Sequence, residues 1–331
     1  MTIKELAQLA GVSPSLVSFV LNGKHKDHRI SDEVANKVRK VAKETGYYPN
    51  GLAKGLREGM SRIIGVIVTE ISNPFFADVV NNITIEVEKA GYAALFASCN
   101  ESSSRLSELT QKFLEKNVDG LILTPCQGSE SYIAALVESK TPLVLIDRCC
   151  PDVNVSSVCL DNAGASGILT RKLIERGCRK IMMISHDLDV SCIKERIAGF
   201  RQQMSTAGGV EPSVSIIPFH QLEKGCDSVV AGLTDSDYDA FLFASNTIAT
   251  HFLRSLRSGR PDIYNNSVFA SIDGAEPYIF MDRPVSFITQ PIQDMSSKAV
   301  RILLDNIKTA TGDPSPVKLS LPGKFASNGC W

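Results

Sequence analysis

The chain has 331 residues, of which 44% are hydrophobic and 21% are charged, and its formal net charge at pH 7 is -1. This is the composition of an ordinary globular protein with enough residues for two or three domains. The charge is uneven, because residues 1–62 carry eleven Lys and Arg against six Asp and Glu, whereas the remaining residues carry 24 against 30. A basic head on an acidic body predicts a polyanionic partner for the head alone.

Cysteine usage and the N-terminus limit the class of protein further. Nine cysteines are present, without a Cys-x-x-Cys motif and with Cys149 next to Cys150. An odd count without this spacing argues against a disulfide framework or a zinc site, so we expect reduced thiols. The start, MTIKELAQLAG, lacks the apolar region and cleavage site of a signal peptide, and no run of about 18 apolar residues occurs. We therefore expect a cytoplasmic protein with no membrane segment.

Two short helices are predicted at the start of the chain. Apolar residues recur at helical spacing from Ile3 to Ala10, and Gly11 permits the tight turn that follows. Ser13 is a good N-cap, and Pro14 occupies the first helical position, where its missing N–H costs nothing. Val17, Val20 and Leu21 then face inward. The residues left on the outer face are Ser15, Ser18, Phe19 and Asn22.

A third helix is predicted after the polar loop GKHKDHR, with Ser31 as its cap. Its inward positions are Val34, Val38 and Val41. The two histidines of the loop raise the possibility of a metal pair, but we favour side chains in solvent. Three helices around the turn AGVS indicate a helix-turn-helix, and the alternative is a small bundle with a solvated basic face.

The rest of the chain divides into a glycine-rich linker and an α/β body. The linker NGLAKGLREG carries three glycines, which disfavour a stable helix. Buried strands are then predicted in IIGVIVT, AALFAS, DGLILT, PLVLID and SSVCLD, and a second set in KIMMIS, SVSIIPF, DAFLFAS and SVFASID. Helices between these strands predict two doubly wound parallel sheets. A ligand would bind at the carboxyl ends of the strands of such sheets.

The pattern TIKELAQLAGVSPSLVSFVLN, followed by GYYPNGLAKGL, resembles the DNA-binding head and hinge of the LacI/GalR family of bacterial transcription regulators. Further resemblance runs along nearly the whole chain. It implies an all-α helix-turn-helix head and a two-lobed, periplasmic-binding-protein-like α/β core. The implied bounds are 1–49 for the head, 50–61 for the hinge and 62–331 for the core, with an N-lobe of 62–161 plus 291–310 and a C-lobe of 162–290.

By this resemblance, the helix after Ser13 enters the major groove of DNA. Ser13 and Ser18 would bond phosphate oxygens, and Pro14, Ser15 and Phe19 would face base edges, with Asn22 at the end of the helix. Phe19 stands where many relatives carry a polar or basic residue. It can pack on a thymine methyl but cannot make the bidentate contact of arginine with guanine. The alternative for Phe19 is packing against Leu16 or the third helix.

The hinge and the oligomeric state also follow from the resemblance. Ala53 and Lys54 would line the minor groove, and Leu56 from both subunits would wedge into the centre of the operator. A plain flexible linker is the alternative. Two copies of the chain bound to one DNA site imply a homodimer and a palindromic operator.

Seven effector-binding residues are implied by resemblance. Phe75 or Phe76 in SNPFFADVV would pack against the effector, Asp147 would hold a hydroxyl, and Arg196 in RIAGF would clamp the ligand. Asp273 in SIDG would be a second carboxylate. In FASNTIA, Ser245 and Asn246 replace the amide and the acid of the family pattern, so one carboxylate is missing. Gln290 in TQPI completes the set. Each polar residue has an alternative role as a cap or in an interlobe ion pair.

No motif for catalysis is present, neither a dinucleotide or phosphate-binding glycine loop nor a zinc-protease or nucleophile-elbow pattern. We expect no enzyme, no cofactor and no metal. The interpretation is a homodimeric repressor that binds double-stranded DNA and is controlled by a small-molecule effector, a carbohydrate. A nucleobase effector and a solute-binding module without regulatory DNA binding stay open as alternatives. A Rossmann-type enzyme is disfavoured by the missing phosphate loop.

Overall fold

The computed structural model describes residues 1–47, 59–206, 212–234, 237–309 and 315–329. The chain divides into two compact units, Met1–Ser61 and Arg62–Trp331. The predicted hinge residues Ala53, Lys54 and Leu56 lie outside the described residues. No helix in the described ranges combines the length and apolar character needed to cross a lipid bilayer.

The N-terminal unit contains the three helices expected from the sequence. They are α1 Ile3–Ala10, α2 Pro14–Leu21 and α3 Asp32–Glu44. Thr2 and Glu5 form a reciprocal capping box at the start of α1, and Gly11 ends it with a φ of +68°. This turn sets α2 against α1 within the small core of this unit.

The buried face of α3 differs from the expected valine stripe. Its fully buried residues are Ala35, Val38 and Ala42, whereas Val34 and Val41 are only half-buried. Alanine has a small side chain, so Ala35 and Ala42 allow α3 to approach α1 and α2 closely. The few buried side chains of this unit can then form a tightly packed core. The helical period predicted for α3 was therefore correct, but its buried face is shifted by about one residue from the predicted one.

The first lobe of the larger unit is built on a six-stranded parallel sheet. Its elements are β1 Ile63–Val68, α4 Pro74–Lys89, β2 Ala93–Ser98, α5 Ser103–Glu115, β3 Gly120–Leu123, α6 Glu130–Glu138, β4 Leu143–Ile146 and β5 Ser156–Leu160, joined by α12 Ile292–Lys308 and β11 Lys318–Leu321. The strand order is β11-β5-β4-β3-β1-β2. Gly120 marks the close approach of α12, since a Cβ there would meet Leu303, while neighbouring Leu121 belongs to the core under α5 and α6. Helices therefore cover both faces, as doubly wound sheets require.

The second lobe has a six-stranded sheet, flanked by two clusters of buried apolar side chains. Its elements are α7 Asn162–Glu175, β6 Ile181–His186, α8 Ser191–Thr206, β7 Ser213–Ile217, α9 Leu222–Ala231, β8 Ala240–Phe243, α10 Asn246–Gly259, α11 Pro261–Asn266, β9 Val268–Ile272, β10 Val285–Thr289 and β12 Lys324–Ser327. The strand order is β12-β10-β9-β8-β6-β7, in which only β12 runs antiparallel to its neighbour. The fold class predicted from the sequence, a helical head followed along the chain by two doubly wound lobes, is confirmed.

Three crossings connect the two lobes: after β5, after β10 and between β11 and β12. The third crossing was not foreseen, because β11 and β12 are short, polar and half-exposed. These strands add one edge to each sheet. The crossings place the carboxyl ends of the central strands on either side of one cleft.

Candidate functional site

The residues predicted to face DNA lie on or beside α2. The Ser13 hydroxyl oxygen caps the helix by accepting from the N–H of Leu16 at 3.3 Å, so its own proton stays available for a phosphate oxygen. The Asn22 amide donates to the carbonyl and hydroxyl oxygens of Ser18, at 2.7 and 3.3 Å. On the outer surface, Pro14 and Ser15 are exposed, and Ser18, Phe19 and Asn22 are half-buried.

Phe19 has a partner that the sequence did not indicate. Its ring stacks on His28, with 3.5 Å between the ring centroids and 18° between the planes. His25, in the same loop, contacts Asp32 at 3.2 Å and Arg39 at 3.3 Å, and only 12% of its side chain is exposed. The expectation that both loop histidines lie in solvent is therefore wrong for His25. The loop packs back on α2 and α3 instead.

The seven predicted effector residues all line one cavity between the two lobes of the larger unit. The cavity has a volume of about 550 Å³, which includes the open solvent at its mouth. Several of its polar side chains are buried, so a ligand here would exchange water for fixed protein groups. The residues brought together are Phe75, Phe76, Asp147, Arg196, Asn246, Asp273 and Gln290.

Asp147 and Asp273 reach the cavity through the same local geometry. Each follows a buried strand, and its N–H donates to the end of the neighbouring strand, to Val158 at 3.0 Å and to Ile288 at 3.1 Å respectively. Both then adopt a left-handed backbone, with φ of +71° and +66°. Aspartate tolerates this conformation better than most residues do. The chain therefore leaves the sheet at these points, with Asp147 buried and Asp273 half-buried.

Arg196 is held rigidly on α8. Its Nε donates to Asn162 Oδ1 at 2.8 Å, and its Nη1 donates to the carbonyl oxygen of Ala244 at 2.7 Å. These bonds tie the guanidinium to the start of α7 and to the end of β8. A positive charge with a fixed plane suits bidentate recognition of adjacent hydroxyls or a carboxylate.

The carboxylates of Asp147 and Asp273 have lost part of their solvation, which disfavours their charged forms. Burial raises the pKa of Asp273 to about 6, although the charge of Arg196 and a 3.1 Å hydrogen bond from Gln290 oppose this shift. Burial also raises the pKa of Asp147, against the charges of Arg148 and Arg196. Ligand hydroxyls that donate to these oxygens would replace the lost solvation.

The remaining predicted residues form the walls of the cavity. Phe75 and Phe76 begin α4 and meet edge to face, with ring centroids 5.0 Å apart. Asn246 Nδ2 donates to the Gly274 carbonyl oxygen at 3.4 Å. Gln290 Oε1 is buried without a hydrogen-bond partner among the described residues. Such an unpaired buried acceptor is costly unless a ligand or water donates to it.

Glu101, Arg148 and His186 are three ionisable residues of the cavity that the sequence interpretation missed. Arg148 forms two hydrogen bonds with Glu101, at 2.8 and 2.6 Å, and both side chains are buried. His186 Nε2 lies 2.8 Å from Ser245 Oγ, and its Nδ1 is buried without a described partner. Burial lowers the pKa of His186 to about 4, helped by Arg196 and Arg148, so the imidazole is neutral at pH 7. All three residues lie at carboxyl ends of strands, and this position was the signal that could have identified them.

Family models and solved structures match both units of the chain. Residues 2–50 match the model described as bacterial regulatory proteins of the lacI family. Residues 61–229 match periplasmic binding proteins and the sugar binding domain of the LacI family, and residues 170–324 match a periplasmic binding protein-like domain.

Individual relatives extend over almost the full length. The ribose operon repressor of Haemophilus influenzae is 31% identical over 310 residues, which cover 93% of this chain and 92% of the relative. A structure of the transcriptional regulator CelR in complex with cellobiose covers 98% of both chains with a TM-score of 0.70 and 27% identity. The lac repressor dimer bound to operator and the anti-inducer ONPF has the same fold, with a TM-score of 0.81 at 18% identity over 98% of this chain and 97% of that one. The chain thus belongs to the LacI family of bacterial regulatory proteins, as a DNA-binding transcription regulator controlled by a small-molecule effector.

Proposed function

We propose that this regulator is a repressor whose effector is a neutral monosaccharide or short oligosaccharide bound in the cleft. The observation that carries the proposal is the balance of buried charge around the cavity. Arg148 and Arg196 are offset by Glu101, Asp147 and Asp273, so no cation is in excess. A phosphate dianion would add uncompensated negative charge, whereas sugar hydroxyls can donate to the carboxylates and accept from Arg196.

The apolar part of the cavity supports the same ligand class. Phe75 and Phe76 offer a ring edge and face beside the polar cluster, which suits the C–H surface of a sugar. The ribose and cellobiose named for two relatives are both neutral sugars. A nucleobase is the second candidate, because the neutral His186 and the free Gln290 oxygen could pair with its edge.

The proposed DNA-binding residues are Ser13, Pro14, Ser15, Ser18, Phe19 and Asn22 in the head, with Ala53, Lys54 and Leu56 carried over from the family pattern in the hinge. We propose bounds of 1–49 for the head, 50–61 for the hinge and 62–331 for the core, with β11 added to the N-lobe. The protein would act in the cytoplasm, where its DNA lies, and would bind its effector without chemically changing it.

A homodimer on a palindromic operator is part of the proposal. Large apolar side chains are exposed on both lobes, and such surfaces commonly mark protein interfaces. Phe96 and Ile85 are 55% and 43% exposed on the first lobe, and Ile279 and Phe280 are 71% and 80% exposed on the second. A second copy of the chain would cover them.

The test is a thermal-shift and calorimetry series with ribose, glucose, cellobiose, ribose 5-phosphate, adenine and guanine. A ligand that binds only the folded state raises its melting temperature. We expect at least one neutral sugar to raise the melting temperature more than ribose 5-phosphate or either base does. A shift by the phosphate alone would contradict the charge argument, and a shift by a base alone would favour the second candidate.

Arg196→Ala should abolish the response to the active sugar. Losing a charge-assisted contact weakens binding by about 1.5–3 kcal/mol, roughly ten- to hundredfold. Arg196→Lys is the matched variant, because it keeps the charge that offsets Asp147 and Asp273 but loses the planar fork. Calorimetry should show weak sugar binding by both variants, and operator affinity in a shift assay should persist. Full sugar affinity in Arg196→Lys would remove the bidentate contact from the proposal.

A further inference from the structure

Two pairs of cysteine thiols in the first lobe are in contact. The side chains of Cys149 and Cys159 lie close enough to influence each other's ionisation, and those of Cys99 and Cys126 do so as well. The pairs differ in access, because Cys149 is half-exposed whereas Cys99 and Cys126 are 0% and 1% exposed. An oxidant must reach the attacking sulfur, so only the first pair is open to it.

Cys149 comes to lie beside Cys159 through the turn that also positions Asp147. Strands β4 and β5 are parallel, with Ile146 opposite Val158. The left-handed backbone of Asp147 then takes the chain out of the sheet, and Cys149 meets Cys159 on the adjacent strand. Cys149 is therefore two residues after Asp147, whose carboxylate lines the cavity.

Cys149 also connects the two lobes. Its N–H donates to Ser191 Oγ at 3.0 Å, and Ser191 is the first residue of α8, the helix that carries Arg196. Hydrogen bonds from the Cys159 thiol and then from the Ser191 hydroxyl outweigh burial and lower the pKa of Cys149 to about 6. The thiolate, which is the nucleophilic form, therefore predominates at neutral pH.

We propose that Cys149 and Cys159 are an oxidation-sensitive pair, which closes to an intrachain disulfide and breaks the Cys149–Ser191 contact between the lobes. With a peroxide as oxidant, the Cys149 thiolate attacks one peroxide oxygen, the O–O bond breaks, and hydroxide leaves. The Cys159 sulfur then attacks the resulting sulfenic acid at Cys149, and the second oxygen leaves as water with the Cys159 proton. Two thiols lose two electrons, and the peroxide is reduced to two waters.

The disulfide affects the lobe junction because it shortens the contact between the sulfurs. Bonded sulfurs are far closer than two thiols in contact, so closing the bond must shift Cys149 toward β5 and change its position relative to Ser191. This step requires no effector and no DNA, so its test is independent of the proposed ligand class.

The first experiment maps disulfides in the full chain after hydrogen peroxide treatment, alkylation and digestion without reduction. We expect a Cys149–Cys159 link, and no Cys99–Cys126 link, at peroxide doses that leave Cys178 and Cys226 reduced. The variant Cys159→Ser should stop at a Cys149 sulfenic acid that dimedone traps. Cys126→Ser is the matched control, because it removes a contacting but buried thiol and should leave the link unchanged. The proposal would be overturned if Cys149 stayed reduced at peroxide doses that oxidise the buried thiols.

The second experiment measures hydrogen exchange at the Cys149 amide. Losing one intramolecular hydrogen bond should speed exchange by about five- to tenfold in the oxidised protein. Reduced Ser191→Ala, which lacks the acceptor, should reproduce this rate without oxidation. An oxidised protein whose Cys149 amide exchanges as slowly as in the reduced protein would refute the loss of the interlobe contact.

Discussion

The Asp273 carboxylate is desolvated, and its negative charge is compensated only in part by Arg196 and Gln290. A carboxylate in this position lowers the stability of the ligand-free core and improves the binding of hydroxyl donors. The same trade applies to Asp147, whose pKa is also raised by burial. At the scale of single residues, the cleft is therefore selected for binding at the expense of stability.

The sign of the pH dependence follows from the raised pKa of Asp273. Its folded pKa is about 6, above the ordinary value of 3.8, so between these values the folded state holds more protons than the unfolded state. The energetic penalty of the buried charge is thus fully present above pH 6 and disappears as the pH falls toward 4. It amounts to at most about 3 kcal/mol.

Asp273→Asn should therefore stabilise the sugar-free core at pH 8 and have little effect at pH 4.5. Asparagine tolerates the left-handed backbone at this position, and its Oδ1 can still accept from Gln290. Chemical unfolding at both pH values measures the difference, and the sugar-induced thermal shift should be lost in the variant. An equal change in unfolding free energy at both pH values would mean that the charge is not the cause.

The helices α7 and α8 approach so closely that only glycine fits at one point. A Cβ at Gly199 would overlap the main chain of Ala163, whereas a Cβ at Gly167 would lie 3.9 Å from the carbonyl oxygen of Gly199. Gly199 is three residues after Arg196, on the same face of α8. The spacing of these two helices therefore also determines where the guanidinium meets Asn162.

Gly199→Ala should destabilise the core by about 1–3 kcal/mol through overpacking and should weaken sugar binding by displacing Arg196. Gly167→Ala is the matched control, since the added methyl has room and alanine favours a helix interior by about 0.5–1 kcal/mol. Denaturant unfolding and calorimetry of both variants decide the matter. If the two substitutions had the same effect, the close contact at Gly199 would not limit the packing.

At the scale of elements, the sequence predicted what depends on local periodicity and missed what depends on tertiary neighbours. The caps at Ser13 and Ser31 and the long apolar strands were recognisable because their signals are local. Strands β10 to β12 were missed because strands of four or five residues carry little pattern of their own, and β11 and β12 are also edge strands. The buried Arg148–Glu101 pair and the Phe19–His28 stack join residues that are far apart in the sequence or lie in an irregular loop.

At the scale of the whole molecule, the net charge of the chain is a poor guide to its affinity for DNA. The formal charge is -1, yet residues 1–62 carry an excess of five positive charges and the rest of the chain is acidic. Charges farther apart than about 8 Å are largely screened at physiological ionic strength, so the head acts as a separate cation near DNA. The acidic core, in turn, disfavours binding to DNA through any other surface.

Binding to a random-sequence duplex should therefore depend steeply on salt, although the protein as a whole is slightly acidic. If Z phosphates are neutralised, log affinity falls with log salt with a slope of about -0.9Z, and six or more contacts weaken binding about 10³-fold between 50 and 200 mM salt. The double variant Lys24→Gln and Lys26→Gln removes two exposed charges from the head and should reduce this slope. The double variant Lys116→Gln and Lys140→Gln removes two exposed charges from the core and should leave it unchanged. Fluorescence anisotropy across a salt series measures the slope for each protein. A DNA affinity that does not depend on salt would show that the head is not the electrostatic contact. The same conclusion would follow if both double variants reduced the slope equally.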